Sequence, residues 1–174
     1  MMLRGYVGSG AFEIGLYTDA DFAGCKETAR STSGLWVVLR GKGWEFPLEW
    51  GSKRQSCVSH STPEAELISL AKGLREAGLP LSTLLEAMFQ KESVLVVAEQ
   101  DNSATIQIVK KGRSPALRHL AETHRVSLAW VSEVCSREGI RLQHCPTLLQ
   151  LADGFTKVLD RLKFLNCLLQ LNIF

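Results

Sequence analysis

The sequence predicts one α/β domain, and three observations support this prediction. Residues 12–17 alternate apolar and polar side chains, which is typical of a half-buried strand. Residues 94–98 are all apolar, as expected for a central strand that is buried on both faces. Helix-start signals, such as a hydroxyl cap followed by proline, lie between the strand patterns. A chain of 174 residues can bury such a core without disulfides or a structural metal.

The first third of the chain predicts an antiparallel meander of three strands. The strand at 12–17 leads to Asp19, and two further strands are expected over 34–39 and 44–50. Pro47 lies inside the third pattern and cannot donate a hydrogen bond to a neighbouring strand. We therefore expect an edge strand or an irregularity at that position.

The rest of the chain alternates helices with strands. A helix is expected from Ser61 to about residue 77, where Gly78 and Pro80 interrupt it, and a further stretch continues to about residue 89. Further helices are expected from 102 or 103, over 121–137 and from 147, with a last strand over 140–144. The expected domain spans 1–174, with its core at about 12–164 and a helical tail at 162–174 that packs on the core.

The basic residues are clustered, although the net charge of +2 is too small to indicate nucleic acid binding by itself. A solvated surface is the commonest explanation for clusters of this kind. Lys53 and Arg54 form one cluster, and the basic residues of 102–121 form the other. Both clusters lie near candidate acidic residues in the sequence, which favours a phosphate-binding role. The candidate nucleic-acid-binding residues are Lys53, Arg54, Lys110, Lys111, Arg113, Arg118 and His119.

The five cysteines are odd in number and contain no CxxC pair, so we expect reduced thiols in an intracellular protein that is not secreted. No apolar run approaches the roughly 20 residues that span a bilayer, and no membrane partner is expected. Cys57 with His60, or His144 with Cys145, could contribute to a zinc site. Scattered core or loop residues are the favoured interpretation of these four.

Four acidic residues stand where apolar ones are normal, at the end of a strand pattern or within the apolar stripe of a helix. Burial of an unpaired carboxylate is costly, so such groups are normally paired or bound to a metal. Carboxylates without His or Cys point to a hard divalent ion, magnesium or manganese. The four candidates are Asp19, Glu66, Asp101 and Asp153.

Asp101 and Asp153 also have ordinary structural explanations, whereas Glu66 has none. Glu64 and Glu66 lie about 200° apart around a helix, so only Glu66 is expected on the apolar face. Glu64 has a more polar neighbourhood, and the helix dipole accounts for it. Asp101 could be a simple helix cap. Asp153 could pair with Lys157 four residues later.

Several motifs occur in order along the chain: YTDADFAG at 17–24, RSTSG at 30–34, WGSKRQ at 50–55, STPEAEL at 61–67, DNSA at 101–104, and PT with QLADGFTK at 146–157. Together they resemble the ribonuclease H domain of copia-type retrotransposon Pol polyproteins. The resemblance implies a ribonuclease H-like fold, in which helices flank a five-stranded mixed sheet whose strands one to three are antiparallel. It also implies a metal centre of Asp19, Glu66, Asp101 and Asp153.

The resemblance implies an endonuclease that cuts the RNA strand of RNA/DNA hybrids during retrotransposon reverse transcription. Two Mg²⁺ or Mn²⁺ ions about 4 Å apart would share Asp19, one held also by Asp153 and the other by Glu66 and Asp101. A reverse transcriptase domain of the same polyprotein is the expected partner. The alternatives are another nuclease or strand-transferase of the same fold, or a non-catalytic hybrid-binding or scaffold module. The role of a basic pair at either His119 or His124 stays open.

Overall fold

A five-stranded mixed sheet forms the centre of the fold. The computed structural model describes residues 10–171. The strands lie in the order β3-β2-β1-β4-β5, with β1, β2 and β3 antiparallel and with β4 and β5 parallel to β1. The α/β class and the antiparallel meander are therefore confirmed. The strands are β1 (Phe12–Asp21), β2 (Thr32–Gly41), β3 (Trp44–Arg54), β4 (Val96–Gln100) and β5 (Ile140–His144).

Helices connect and cover these strands. A π-helical turn, Leu74–Gly78, joins the first two, so the chain stays helical through the predicted interruption. The helices are α1 (Thr62–Gly73), α2 (Leu79–Phe89), α3 (Ser103–Lys111), α4 (Leu120–Thr123), α5 (Leu128–Cys135) and α6 (Arg161–Gln170).

Strand β3 is longer than predicted because its pairing with β2 continues to Arg54, opposite Thr32. The irregularity expected at Pro47 is confirmed. The register of the β2–β3 ladder shifts between Val37 and Val38, and Val38 lies opposite Pro47. Both strands therefore reach the end of the sheet where β1 carries its acidic residues.

The α1 helix packs closely on the centre of the sheet. Ser61 caps it by accepting a hydrogen bond from the backbone N–H of Glu64. At the other end of α1, a Cβ on Gly73 would lie 2.6 Å from Thr18 Cγ2, so this approach requires glycine. Leu67 and Leu70 on the buried face join the main core.

A smaller apolar cluster lies on Tyr17, Trp36 and Val38, and it includes Leu151 and Ala152 from the C-terminal part of the chain. It seats this late segment against the first two strands. None of the five cysteines, all of them among the described residues, is paired in a disulfide.

Two helix predictions are wrong in their bounds. The helix expected over 121–137 is divided into α4 and α5, because Arg125 between them has a left-handed backbone, with φ 54°. The helix expected from Thr147 is replaced by two 3-10 turns, Thr147–Leu149 and Leu151–Phe155. Gln150 between these turns has an extended backbone, with ψ 94°, which ends the first turn. Its side chain accepts a hydrogen bond from the backbone N–H of Ala152 and so caps the second turn.

The expectation of a closing helix packed on the core is wrong for most of α6. Leu162, Phe164 and Leu169 are exposed by half or more of their surface. Cys167 and Leu171 do pack on the smaller cluster. Residues 172–174 of the predicted tail lie outside the described residues. Among the described helices, none has the length and apolar character needed to cross a bilayer.

Candidate metal centre

Three of the four predicted acids converge at one end of the sheet. Asp19 lies near the end of β1, Asp101 directly follows β4, and Glu66 projects from α1. One carboxylate oxygen from each lies within 4.8 Å of the other two. Since β1 and β4 are parallel neighbours, their carboxyl ends coincide, and this brings Asp19 and Asp101 together.

Asp153 reaches the same end of the sheet from the 3-10 turn Leu151–Phe155 but does not belong to that close trio. Lys157 connects it to Asp19. The Lys157 ammonium lies 2.8 Å from Asp153 Oδ1 and 3.2 Å from Asp19 Oδ1. The expected pairing of Asp153 with Lys157 is therefore present, and it extends to a buried acid of β1.

Two polar side chains hold the Asp153 turn in place. Gln150 Nε2 donates to the carbonyl oxygens of Thr18 at 3.2 Å and Glu99 at 3.4 Å, which lie on adjacent strands. The hydroxyl of Thr156 donates to Asp19 Oδ2. The turn is thus attached both to the backbone of the sheet and to a carboxylate of the trio.

Gly34 allows the turn to approach this closely. It lies opposite Asp19 in the β1–β2 ladder. A Cβ at this position would come within 2.7 Å of the Ala152 carbonyl oxygen and 2.5 Å of Thr156 Cγ2. A larger residue would therefore displace the segment that carries Asp153.

The electrostatics of the site match a crowded set of carboxylates. Burial, followed by the charges of Asp19 and Asp101, raises the pKa of Glu66 to about 9. Burial raises the pKa of Asp153 to about 6 in spite of its hydrogen bond from Lys157. Burial lowers the pKa of Lys157, but the hydrogen bond to Asp153 and the charge of Asp19 outweigh it, so the net change is upward.

These residues are suited to a hard divalent cation. Asp19 and Glu66 are only 1% and 4% exposed, and Glu66 has no ion pair among the described residues. Oxygen ligands lie about 2.1 Å from Mg²⁺, so two ligands of one ion are about 3–4 Å apart. The three oxygens of the trio lie within 4.8 Å of one another, a range that includes this spacing. An all-oxygen donor set favours Mg²⁺ or Mn²⁺ over zinc.

The prediction that Glu64 lies in a polar neighbourhood is wrong, because its side chain is buried. Its side chain is 1% exposed. One of its oxygens accepts from the backbone N–H of His60 at 3.1 Å, and the other lies 3.0 Å from His119 Nε2. The sequence pattern of α1 gave no sign of this burial, because His119 comes from a distant part of the chain.

The predicted basic residues lie in two exposed groups. Arg54 and its neighbour Lys53 are at the same end of the sheet as the acids, since Arg54 pairs with Thr32 and Thr32 pairs with Asp21. The second group surrounds a cleft of about 760 Å³ that continues from the end of α3. Its cationic lining residues are Lys111, Arg113 and Arg118, with Lys110 exposed next to them. His119 differs from these residues because Glu64 engages it.

Sequence reasoning missed the residues that position the acids. Gln100 is fully buried, and its amide lies 3.5 Å from Glu66 Oε2. Gln150 and Gly34 attach the Asp153 turn, as described above. Gln100 could have been found from the sequence, because it is a polar residue at the end of an apolar strand pattern. Gly34 and Gln150 carry no local signal, because their contacts are distant in sequence.

The chain has relatives among transposon proteins, although no protein family model matches it. It is 31% identical over 154 residues to the retrovirus-related Pol polyprotein from transposon TNT 1-94 of Nicotiana tabacum. It is also 31% identical over 150 residues to that from transposon RE1 of Arabidopsis thaliana. The alignments cover 87% and 86% of this chain but 11% and 10% of the polyproteins. The chain thus corresponds to one short region of these relatives.

Solved structures show the same fold. LC11-RNase H1, isolated from compost by a metagenomic approach, has a TM-score of 0.53 at 18% identity, over 83% of this chain and 92% of that chain. The crystal structure of LC11-RNase H1 in complex with RNA/DNA hybrid has a TM-score of 0.50 at 20% identity, over 83% of this chain and 94% of that chain.

The strand order and the shared fold define the chain as a ribonuclease H-like domain. Its homologues are retrovirus-related Pol polyproteins of copia-type transposons. The chain has a ribonuclease H-like fold and is homologous to one region of these polyproteins, so the resemblance seen in the sequence motifs is confirmed.

Proposed function

We propose that this protein is a metal-dependent endonuclease that hydrolyses the RNA strand of RNA/DNA hybrids during retrotransposon reverse transcription. The observation that carries the proposal is the convergence of Asp19, Glu66 and Asp101 within 4.8 Å. The homology to Pol polyproteins supports it, and a structural neighbour was crystallised with an RNA/DNA hybrid. The reverse transcriptase region of such a polyprotein is the proposed partner.

In this proposal the four acids divide into two ligand sets for Mg²⁺ or Mn²⁺. Asp19 belongs to both sets, with Glu66 and Asp101 completing one and Asp153 the other. When bound, the two ions supply a deprotonated water and stabilise charge on the leaving 3′ oxygen. Burial of Asp19 and Glu66 keeps their carboxylates out of bulk water and fixes their positions before substrate arrives.

Lys157 has a supporting role in the proposed centre. Its ammonium holds Asp153 beside Asp19 and balances part of their charge. Removal of this cation would leave the buried Asp19 carboxylate without an ion-pair partner among the described residues. Lys157 therefore orders the half of the centre that the 3-10 turn provides.

We assign hybrid binding to the exposed basic residues. Lys111, Arg113 and Arg118 line the cleft of about 760 Å³, and Lys53 and Arg54 lie at the acidic end of the sheet. Guanidinium and ammonium groups bind backbone phosphates, and such contacts recognise helix shape and the 2′-hydroxyl instead of base sequence. His119 is less available for this role because it contacts Glu64.

The test is a cleavage assay with end-labelled RNA/DNA hybrid in Mg²⁺. We expect 5′-phosphate RNA fragments from the parent protein and at least a 100-fold loss of rate, an order-of-magnitude figure, in Asp19→Asn. Asp160→Asn is the matched control, because Asp160 is an exposed cap of α6 and asparagine caps equally well.

The same assay separates the proposal from its alternatives. Cleavage of duplex DNA would indicate another nuclease of this fold. Tight hybrid binding without any product would indicate a non-catalytic binding module. Equal rates for Asp19→Asn and the parent protein would exclude the proposed centre.

A further inference from the structure

A second group of metal-ligand side chains lies at the start of α1, on a different face of the helix from Glu66. Its members are His60, Glu64 and His119, and one ligand atom from each lies within 4.8 Å of the other two. Glu64 Oε1 is 3.0 Å from His119 Nε2. The rings of His60 and His119 meet edge to face, with their centroids 5.0 Å apart. One potential ligand atom from each of two imidazoles and a carboxylate therefore lies close to the other two.

We propose that His60, Glu64 and His119 bind a zinc ion. Two histidines and one glutamate form an established three-residue ligand set for zinc, with water in the fourth position. Zinc bonds of about 2.0–2.1 Å place tetrahedral ligands about 3.4 Å apart. The Glu64–His119 separation of 3.0 Å and the 4.8 Å limit on all three separations bracket that spacing. His60 is exposed and His119 is 31% exposed, which leaves a path for the ion and room for water.

The environment of Glu64 favours a ligand role for one of its oxygens. Its Oε2 accepts a hydrogen bond from the backbone N–H of His60, which fixes the carboxylate plane. Its Oε1 is directed at His119. Hydrogen bonds of this kind commonly orient carboxylates that bind metals. Among the described residues, the hydrogen-bond partners of this buried carboxylate are one backbone N–H and the His119 ring, and a divalent ion held with His60 and His119 would balance its negative charge.

His124 provides an independent observation at the same place. It is 9% exposed, and neither ring nitrogen makes a well-formed hydrogen bond. Burial lowers the pKa of His124, whereas a hydrogen bond with the Val58 backbone opposes that change; the charged groups that also act on the ring are Glu64, His119 and His60. Among the described residues, its polar contact is the one with the Val58 backbone, so an ion or water beside the ring would satisfy the other nitrogen.

The proposed zinc site is chemically distinct from the acidic centre. The acidic trio offers only oxygen donors, which favour magnesium, whereas this cluster offers two nitrogens and one oxygen. The two groups share no residue. Each ion should therefore select its own site even when both are present.

A bound zinc ion would link three segments of the chain. His60 precedes the cap of α1, Glu64 lies in its first turn, and His119 immediately precedes α4. Arg118, the neighbour of His119, lines the basic cleft. Zinc would therefore stabilise the fold by binding only its native state, and it would order one rim of the cleft.

The experiment uses the chelator-treated Asp19→Asn variant, in which the acidic centre is impaired, in excess Mg²⁺. Zinc binding is measured by calorimetry, and Co²⁺ binding is measured by its visible absorption. We expect one zinc site and a melting temperature several degrees higher. His60→Ala and His119→Ala should each weaken zinc binding at least tenfold, an order-of-magnitude figure. Because His60 is exposed, its replacement should leave the fold intact, and circular dichroism checks this.

His144→Ala is the matched control, because His144 is an exposed histidine at the end of β5 and lies outside the cluster. The His144→Ala variant should bind zinc as tightly as the Asp19→Asn protein in which it is made. The proposal is overturned if no zinc binds, or if His119→Ala binds it as tightly as the parent. Loss of binding in Cys57→Ser alone would also overturn it. Cys57 donates its S–H to the Thr123 carbonyl and has no place in the proposed ligand set.

Discussion

The ammonium nitrogen of Lys157 lies 3.2 Å from Oδ1 of Asp19, although the two residues are separated by 138 positions in the chain. Asp19 is 1% exposed, and Lys157 is 37% exposed. The contact therefore joins a buried acid to a cation that solvent and ions can still reach. It occupies the region where the proposed metal ligands meet.

Lys157→Met should destabilise the metal-free protein, because the buried Asp19 carboxylate loses its ion-pair partner. The expected cost is about 1–3 kcal/mol, below that of a fully buried pair because Lys157 is partly exposed. The variant should gain more from Mg²⁺, since a competing cation has been removed. Thermal melts in chelator and in Mg²⁺ measure both effects. Lys163→Met, at a 73% exposed lysine, is the control. Identical melts for the two variants would contradict the prediction.

Metal-free stability should fall as the pH rises from about 4.5 to about 9, with Glu66 as the cause. Its pKa is about 9 in the folded protein against an ordinary value of 4.5, so in this range the folded state holds a proton that the unfolded state has released. The slope should approach about 1.4 kcal/mol per pH unit. Urea unfolding across this range, in chelator, gives the slope.

Glu66→Gln should remove most of that slope, because glutamine does not titrate. Asp153 contributes in the same direction only below about pH 6. In Mg²⁺ the parent protein should also lose the slope, since the ion takes the place of the proton. A slope that persists unchanged in Glu66→Gln would show that another group is responsible.

Gly34→Ala should displace the turn that carries Asp153. The new Cβ would meet the Ala152 carbonyl at 2.7 Å, a distance that such contacts do not tolerate. We expect a loss of about 1–3 kcal/mol in the free energy of unfolding and reduced Mg²⁺-dependent cleavage. Gly51→Ala on β3 is the control, because nothing lies within 4 Å of its added Cβ. Equal unfolding and cleavage for the two variants would show that the close approach does not matter.

The basic cleft should contribute to hybrid affinity by binding phosphates. Combined Arg113→Ala and Arg118→Ala should weaken binding and lower the salt dependence by about one unit of slope for each phosphate that the variant no longer binds. Fluorescence anisotropy over a range of salt concentrations measures this. Arg137→Ala should keep the parent slope, because Arg137 pairs with Glu133 on the surface of α5. A double variant with the parent slope would place the hybrid elsewhere.

Local patterns in the sequence predicted the centre of the fold well. The alternation at 12–17 and the apolar run at 94–98 mark β1 and β4, which are adjacent and parallel in the sheet. Helical geometry alone placed Glu66 on the buried face, and Glu66 does meet Asp19 there. These features depend on neighbouring residues, so a single sequence contains them.

The remaining features depend on distant contacts. Glu64 is buried because His119 lies against it, and its own helix pattern contains no trace of that contact. The segment from Thr147 has the cap and glutamine of a helix start, but the amide of Gln150 bonds to carbonyls of β1 and β4 instead. Tertiary hydrogen bonds thus replaced a helix that local signals favoured.

The bonds from Gln150 join the late part of the chain to backbone made 132 and 51 residues earlier. A polypeptide leaving the ribosome therefore exposes Asp19, Glu66 and Asp101 long before the anchor for Asp153 has been translated. The proposed four-carboxylate centre is completed only after that anchor is synthesised. Until then, the growing chain carries three of the four carboxylates without the anchored Asp153.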